Sequence, residues 1–342
     1  MISMMSSTNP ETGGARSRCI FGDDVPALVR DTAVNLLDQW RFLPGERDIH
    51  FSILPGGANN INLVLRHGDK RWALKIRETD ASFAGTSVSA AIEAQAMAAS
   101  LGLAPAVIAK CLPEGHFMSE FVEGETLRPQ RIRQPSITPR IVDALKQLHA
   151  HHFSPRKFDI FDDLRGFMAG TAKLGGSYPA SYEVLWGIAQ RFETILAEAN
   201  APVGFGHNDL VPQNFIACSD GVKMVDFDYA GEALLAIDLA SVTSQAEMSD
   251  DETTAFLRLY DPHLDESQIA RVQLLRFVNA LREVAWAAMA EPFMAAKTTL
   301  LEGWSYRSHA DVNIRLAEAL IRENPADELA SKAGFVRPGA LF

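Results

Sequence analysis

His207, Asp209 and Asn214 share one short segment, "FGHNDLVPQNF", and Asp226 follows across two short apolar runs split by Ser219, Asp220 and Gly221. Those runs read as a hairpin, and folding it back brings Asp226 beside Asn214. An amide oxygen and a carboxylate that converge in this way suit a hard divalent cation such as Mg2+. Such a cation takes a few protein oxygens and completes its shell with phosphate and water. Asp209, five residues before Asn214, then faces the same metal-bound phosphate and can accept a proton from an attacking hydroxyl. This order of base, amide and carboxylate is that of phosphoryl-transfer sites, where placement and electrostatic stabilisation supply most of the rate. His207 suits orienting the loop by hydrogen bonding better than transferring protons itself. Pro212, with Leu210 and Val211, stiffens the turn between base and metal ligand.

Such a site also needs a lysine on a strand, a glutamate on a helix and a loop over the phosphates. Lys75, in "WALKIRE", supplies the first, and Glu93, on the next predicted helix, is expected to fix it by an ion pair. In "LPGGANN", Gly56 and Gly57 permit close backbone approach, and Asn59 or Asn60 can donate to phosphate oxygens.

The elements that must position these residues follow from periodicity. Leu28, Ala33, Leu36, Leu37 and Trp40 recur at helical spacing near the start. Ile61, Leu63 and Leu65, then Trp72, Leu74 and Ile76, alternate on either side of "HGDK", which predicts a hairpin. "SVSAAIEAQAMAASLG" has a serine start and a terminal glycine and predicts the helix that carries Glu93. "PAVIAKCLPEGHFMSEFVEG" predicts two further strands. After "EGETL" the pattern turns helical, as in Ile141, Leu145 and Leu148, with the hairpin before Asp226 as its exception. His149, His151 and His152 end one of these helices and read as a C-terminal cap or solvated cluster. The division is a strand-rich N-terminal half and a helix-rich C-terminal half, joined near Glu120 to Gly124.

With 342 residues, 47% hydrophobic and 22% charged, the chain can build two such lobes. A net charge of −11 disfavours nucleic acid and anionic membrane as partners. The three cysteines, Cys19, Cys111 and Cys218, are too far apart for a disulfide framework or zinc site and suit a reducing compartment. No apolar run is long enough to span a bilayer, so a soluble cytoplasmic protein is expected.

"HNDLVPQNFI", "VDFDYAG" and "IDLAS" together resemble the aminoglycoside phosphotransferase and choline/ethanolamine kinase superfamily, nearest to its bacterial choline/ethanolamine kinases, over about Phe51 to Ile321. The resemblance implies an α+β, bilobal, protein-kinase-like fold with a small antiparallel-sheet N-lobe and a larger, mainly helical C-lobe. The implied boundaries are a disordered leader at 1–22, a nucleotide-binding lobe at 23–123, a catalytic and acceptor-binding lobe at 124–330 and an irregular tail at 331–342. It further implies ATP, Mg2+ and transfer of the γ-phosphate to a small-molecule hydroxyl. At the matching positions Asp209 resembles the base, Asn214 and Asp226 the metal ligands and Lys75 the phosphate-contacting lysine. His207 and Asp238 match positions that brace the catalytic loop, and Glu120, Phe121 and Val122 the hinge that meets adenine through its backbone.

Asn208 stands where protein kinases have arginine, "DFD" stands for Asp-Phe-Gly, and no Ala-Pro-Glu follows; these departures favour a small-molecule kinase. The expected acceptor is an amino alcohol such as choline or ethanolamine. Tyr229, Trp286, Trp304 and Tyr306 would form an aromatic wall for its ammonium group, with Asp228 or Glu283 as countercharge. Alanines in "VAWAAMA" keep other acceptors open, including aminoglycosides and other metabolites. A catalytically inactive nucleotide-binding module is the third alternative, but its mark, loss of the base or a metal ligand, is not found.

Overall fold

Alternating apolar residues make strands that bury one face, and in the first part of this chain they build one six-stranded sheet. The computed structural model describes residues 18–42, 48–55, 60–77, 86–198, 201–294 and 304–334. Its first part comprises β1 (Cys19–Phe21), α1 (Ala27–Gln39), β2 (Ile49–Ile53), β3 (Asn60–His67), β4 (Lys70–Arg77), α2 (Val88–Ser100), β5 (Val107–Cys111) and β6 (His116–Glu120). The strands form a six-stranded sheet in the order β1-β2-β3-β4-β6-β5. Leu63, Leu65 and Leu74 lie fully inside, against Val29, Ala33, Leu36 and Leu37 of α1. Leu28 of the same helix is 77% exposed, because the inward face runs through Val29 and its partners at i+4, i+7 and i+8.

Two expectations are corrected. Residues 19–21 are a strand, not part of a leader, and they pair parallel to β2, so the sheet is mixed instead of purely antiparallel. The physical cause is local: the β-forming run Cys-Ile-Phe is followed by a helix long enough for a parallel crossover, and Phe21 stacks on Phe51 at 4.4 Å.

The second part contains β7 (Glu125–Thr126), α3 (Pro129–Ile132), α4 (Thr138–His149), α5 (Ile160–Leu174), α6 (Tyr182–Glu198), β8 (Val203–Gly206), β9 (Phe215–Ala217), β10 (Val222–Met224), β11 (Gly231–Leu234), α7 (Ala236–Gln245), α8 (Asp250–Tyr260), α9 (Glu266–Met294), α10 (Tyr306–Glu323) and α11 (Ala326–Lys332). The last helix runs into the tail expected from 331. α9 is apolar around most of its circumference, as a central helix must be; Leu274, Leu281, Val284 and Ala285 are fully buried among α5, α7 and α10. The expected hairpin is β9 with β10, Phe215 opposite Met224. A second pair, β8 with β11, joins the runs on either side of the site.

The two parts are tied where the chain leaves α2. Met224 N donates to Leu103 O at 2.7 Å and Gln147 Nε2 to Leu101 O at 2.8 Å, and Ala94 and Ala98 pack into the helical core. Among the described residues no helix is long and apolar enough to cross a membrane.

Gly124, at the junction, lies so close to β9 that an added Cβ would sit 2.5 Å from the Ala217 carbonyl oxygen and 2.7 Å from Ile216 Cγ2. Gly124→Ala is therefore expected to destabilise the protein by about 1–3 kcal/mol through overpacking against backbone. Denaturant unfolding that places the variant level with the wild type would refute the tight junction.

Candidate active site

The catalytic-loop candidates hang from one buried carboxylate. Asp238, in the first turn of α7 and fully buried, accepts from the backbone N–H of His207 at 2.8 Å and of Asn208 at 2.7 Å. His149 Nε2–H donates to the same carboxylate at 3.0 Å, which leaves Nδ1 to accept from the Tyr260 hydroxyl at 2.9 Å. Burial alone would raise the Asp238 carboxyl, but the bond from His149 and its proximity, with that of His207, hold it below the ordinary range. His149 is thus a buried brace for the loop, not the C-terminal cap or member of a solvated cluster expected from its position. It faces α7 because residues Leu145, Leu148 and His149 share the inward side of α4.

Asn208 has φ +63°, a left-handed conformation that asparagine tolerates better than most residues. Its Nδ2 donates to Tyr229 O at 3.1 Å and so locks the loop to the segment after Asp226. His207 Nε2–H donates to Val225 O at 3.0 Å, and its ring lies 4.5 Å from that of Phe227. Burial lowers its pKa and favours the neutral imidazole.

Val225 N donates to Asn214 O at 3.0 Å, which brings the candidate metal ligands Asn214 and Asp226 to the same end of the β9–β10 hairpin. Asn214 Nδ2 donates to the Asp209 carbonyl at 2.8 Å, so its amide oxygen is left as an acceptor. Asp226 is held at φ +67°, an uncommon conformation outside glycine that turns its carboxylate out of the strand direction. One amide oxygen and one carboxylate fit a hard cation that takes its remaining ligands from phosphate and water.

From the sheet, Lys75 on β4 meets this pair. Its Nζ donates to Asp226 Oδ1 at 2.6 Å and Asp228 Oδ1 at 3.0 Å. Desolvation works against the ammonium, but the two carboxylates prevail and raise its pKa. Glu93 does not take part. It lies on the exposed side of α2, whose inward positions are Ala90, Ala91, Ile92, Ala94, Gln95 and Ala98, and it pairs with no described residue. The carboxylate that accompanies Lys75 is instead Asp228, which Arg77 Nη2 also binds at 2.9 Å. Asp228 therefore serves the lysine and is not free as an acceptor countercharge. Lys75 and Arg77 lie two apart on β4 and share a face; that spacing was the available signal for Arg77.

Of the phosphate-loop candidates, Gly56, Gly57 and Asn59 fall outside the described residues. Asn60 opens β3, buried, with Oδ1 unpartnered. At the hinge Glu120 is exposed and Phe121 lies under the Arg71 guanidinium at 4.7 Å. The backbone of Val122 bonds to no described residue, which leaves polar groups for a heterocycle.

On the helical side, Arg282 of α9 is a residue the sequence reading missed. Its Nε reaches Asp163 at 2.6 Å, and its Nη1 reaches Asp209 at 3.3 Å and Glu283 at 3.1 Å. Tyr229, Phe167 and Phe158 surround the guanidinium at 4.4, 5.5 and 5.7 Å. Tyr229 is therefore wall to an internal cation, not to a ligand. Desolvation pushes the Asp209 carboxyl up to about 8, against the pull of Arg282 and with the push of Glu283 and Asp226.

Trp286, Trp304 and Tyr306 do come together, with His309 as a fourth ring, at centroid separations from 4.7 to 6.4 Å. Glu283 lies at their edge, its Oε2 bonded to His309 Nε2 at 3.0 Å. Burial would raise its carboxyl, but His309 and Arg282 hold it low and ionised.

Residues 90–290 match the choline/ethanolamine kinase family. Protein LicA of Haemophilus influenzae is 26% identical over 259 residues, which cover 72% of this chain and 75% of that protein. Among solved structures, a choline/ethanolamine kinase family protein from Mesorhizobium loti superposes with a TM-score of 0.67 at 20% identity, covering 83% of this chain and 92% of its own. The choline kinase LicA from Streptococcus pneumoniae gives 0.66 at 19%, covering 80% and 94%. The fold is thus the two-lobed kinase-like one, and since the match in sequence spans more than half of the 342 residues, the chain belongs to the choline/ethanolamine kinase family.

Proposed function

We propose that the protein transfers the γ-phosphate of ATP to the hydroxyl of a small amino alcohol, choline or ethanolamine, with Mg2+ held by Asn214 and Asp226. The observation that carries this reading is the meeting of Asp209, Asn214, Asp226 and Lys75, from three separate stretches of chain, at one place between β4 and the helical part. Lys75 lies where it can exchange its carboxylate partners for phosphate oxygens, and Val122 where its backbone can meet the adenine edge. Asp209 takes the proton of the acceptor hydroxyl as the bond to phosphorus forms. When bound, the cation neutralises charge on the phosphate oxygens and aligns them. His207 and Asp238 act through the backbone, holding Asp209 at a fixed separation from Asn214. The ring cluster of Trp286, Trp304 and Tyr306 offers the acceptor's ammonium an aromatic face. The buried negative charge of Glu283 lies behind it.

Positioning supplies about 7–11 kcal/mol in reactions of this class and a general base roughly 3–5 kcal/mol. Loss of the metal ligand should therefore cost at least as much as loss of the base. Asp226→Ala is expected to lower kcat by no less than Asp209→Asn, on the order of 10²–10⁴-fold or more; turnover that survives Asp226→Ala at saturating Mg2+ would sink the assignment.

ATP at about 100 times its Kd should add roughly 2.7 kcal/mol of stability, and far less once Mg2+ is chelated. Differential scanning with both conditions reads this directly. ADP release should then follow choline or ethanolamine; release confined to aminoglycosides or sugars would transfer the proposal to another acceptor, and none across a broad panel would leave a binding module. Trp286→Ala should raise the acceptor KM by about 2–30-fold, the equivalent of roughly 0.5–2 kcal/mol of cation–π attraction, with the KM for ATP unmoved.

A further inference from the structure

Asp209 must be aimed as well as held. Its backbone is fixed by the loop, while its side chain, about a fifth exposed, faces the cleft. Three observations converge on one neighbour. Arg282 is 2% exposed in its side chain, a state in which arginine is found only when well paired. Its Nε bonds Asp163 at 2.6 Å, the shortest of its contacts, and Asp163 is itself 8% exposed on α5. The guanidinium is then clamped between three aromatic rings and can neither rotate nor retreat, since Tyr229 lies 4.4 Å away on one side and Phe158 and Phe167 also pack against it. From this fixed plane Nη1 reaches Asp209 Oδ1 at 3.3 Å.

We infer that Arg282, anchored by Asp163 and the aromatic rings, is a positioning residue that sets the orientation of the Asp209 carboxylate toward the acceptor hydroxyl. This rests on Asp209 being the base. A guanidinium bound through one nitrogen to a rigid anchor and through another to the base fixes direction as well as distance, because its donors lie in one plane. An ammonium at the same place would attract the carboxylate without aiming it. Nη2 is buried with no partner, so a direct contact with the reactants is the competing role, and the test must separate the two.

The test is a double-mutant cycle on kcat, using whichever alcohol the wild type phosphorylates. Arg282→Lys should lower kcat by about 10–100-fold, the scale of a misplaced catalytic group, while both KM values stay within threefold. Asp163→Asn, which touches neither base nor reactants, should lower kcat in the same direction by a smaller factor. In an Asp209→Ala background neither substitution should lower kcat further, since two residues that act as one unit are not additive. Undiminished kcat in both single variants would overturn the inference, as would a loss that persists in full without Asp209, which is the signature of direct contact.

Crystal structures of Arg282→Lys and Asp163→Asn give a second readout that needs no turnover. The Asp209 carboxylate is expected to leave its present orientation in at least one of them, and an unmoved side chain in both would defeat the inference even if the amino-alcohol assignment stands. Conversely, loss of the amino-alcohol assignment in the acceptor panel leaves this crystallographic result to be judged by itself.

Discussion

The site depends on burying several carboxylates together, close to where a phosphate that is already anionic must dock. Asp163, Asp209, Asp226, Asp228 and Glu283 approach the cleft, and each ion withdrawn from water carries a penalty of several kcal/mol unless charge and hydrogen bonds compensate it. The compensation is divided by lobe. Lys75 and Arg77 reach across from β4 to Asp226 and Asp228, while Arg282 serves Asp163, Asp209 and Glu283 from within the helices. Even with Arg156 nearby, acids outnumber bases. At Asp209 burial itself pushes the carboxyl up to about 8, against the pull of Arg282 and with Glu283 and Asp226 adding to the push. A divalent cation beside Asp226 would add positive charge to this group of acids, in keeping with the proposed metal requirement.

The same carboxylate chemistry is used for architecture. Asp238 is fully buried, yet its carboxylate accepts from three donors, two backbone N–H groups and His149. It converts a flexible loop into a fixed platform, because a loop whose amides are tied to a helix cannot drift relative to that helix. Asn208 and Asp226 both adopt left-handed backbone, each costing of order 1–3 kcal/mol. Such conformations persist only where surrounding bonds over-determine them, and here the surrounding bonds are those of Asp238, Tyr229 O and the β9–β10 ladder.

The loop and the hairpin were legible in the sequence because they depend on short spacings, five residues from Asp209 to Asn214 and one hairpin from Asn214 to Asp226, and Lys75 because it sits in an alternating strand pattern. Period-two and period-3.6 patterns likewise located β3, β4, α2, α4 and the β9–β10 hairpin. What escaped was long-range pairing. Nothing local in "LREVAW" says that Arg282 will meet Asp163, 119 residues earlier, or that His149 will meet Asp238 rather than solvent. β8 was missed because "VGFG" is short and half glycine, and its partner β11 lies beyond the hairpin. The Lys75–Glu93 pair was misjudged because a phosphoryl-transfer site calls for a helix glutamate, whereas the face that α2 turns inward is decided by its alanines.

Arg282 also bears on which acceptor the protein can hold. A box of Tyr229, Phe158 and Phe167 with three acids around it has the composition that would receive a ligand ammonium, but the chain's own guanidinium fills it. An external cation is therefore left with the second cluster. There the four rings of Trp286, Trp304, Tyr306 and His309 touch one another and do not stand apart, so they present a face and not an enclosing cage. Cation–π attraction from one face is weaker than from several, and Glu283, whose oxygens each accept one bond, from Arg282 and from His309, adds the attraction of a buried negative charge. Under the proposed acceptor reading, a methylated and a primary ammonium alike would meet one aromatic face with a buried carboxylate behind it.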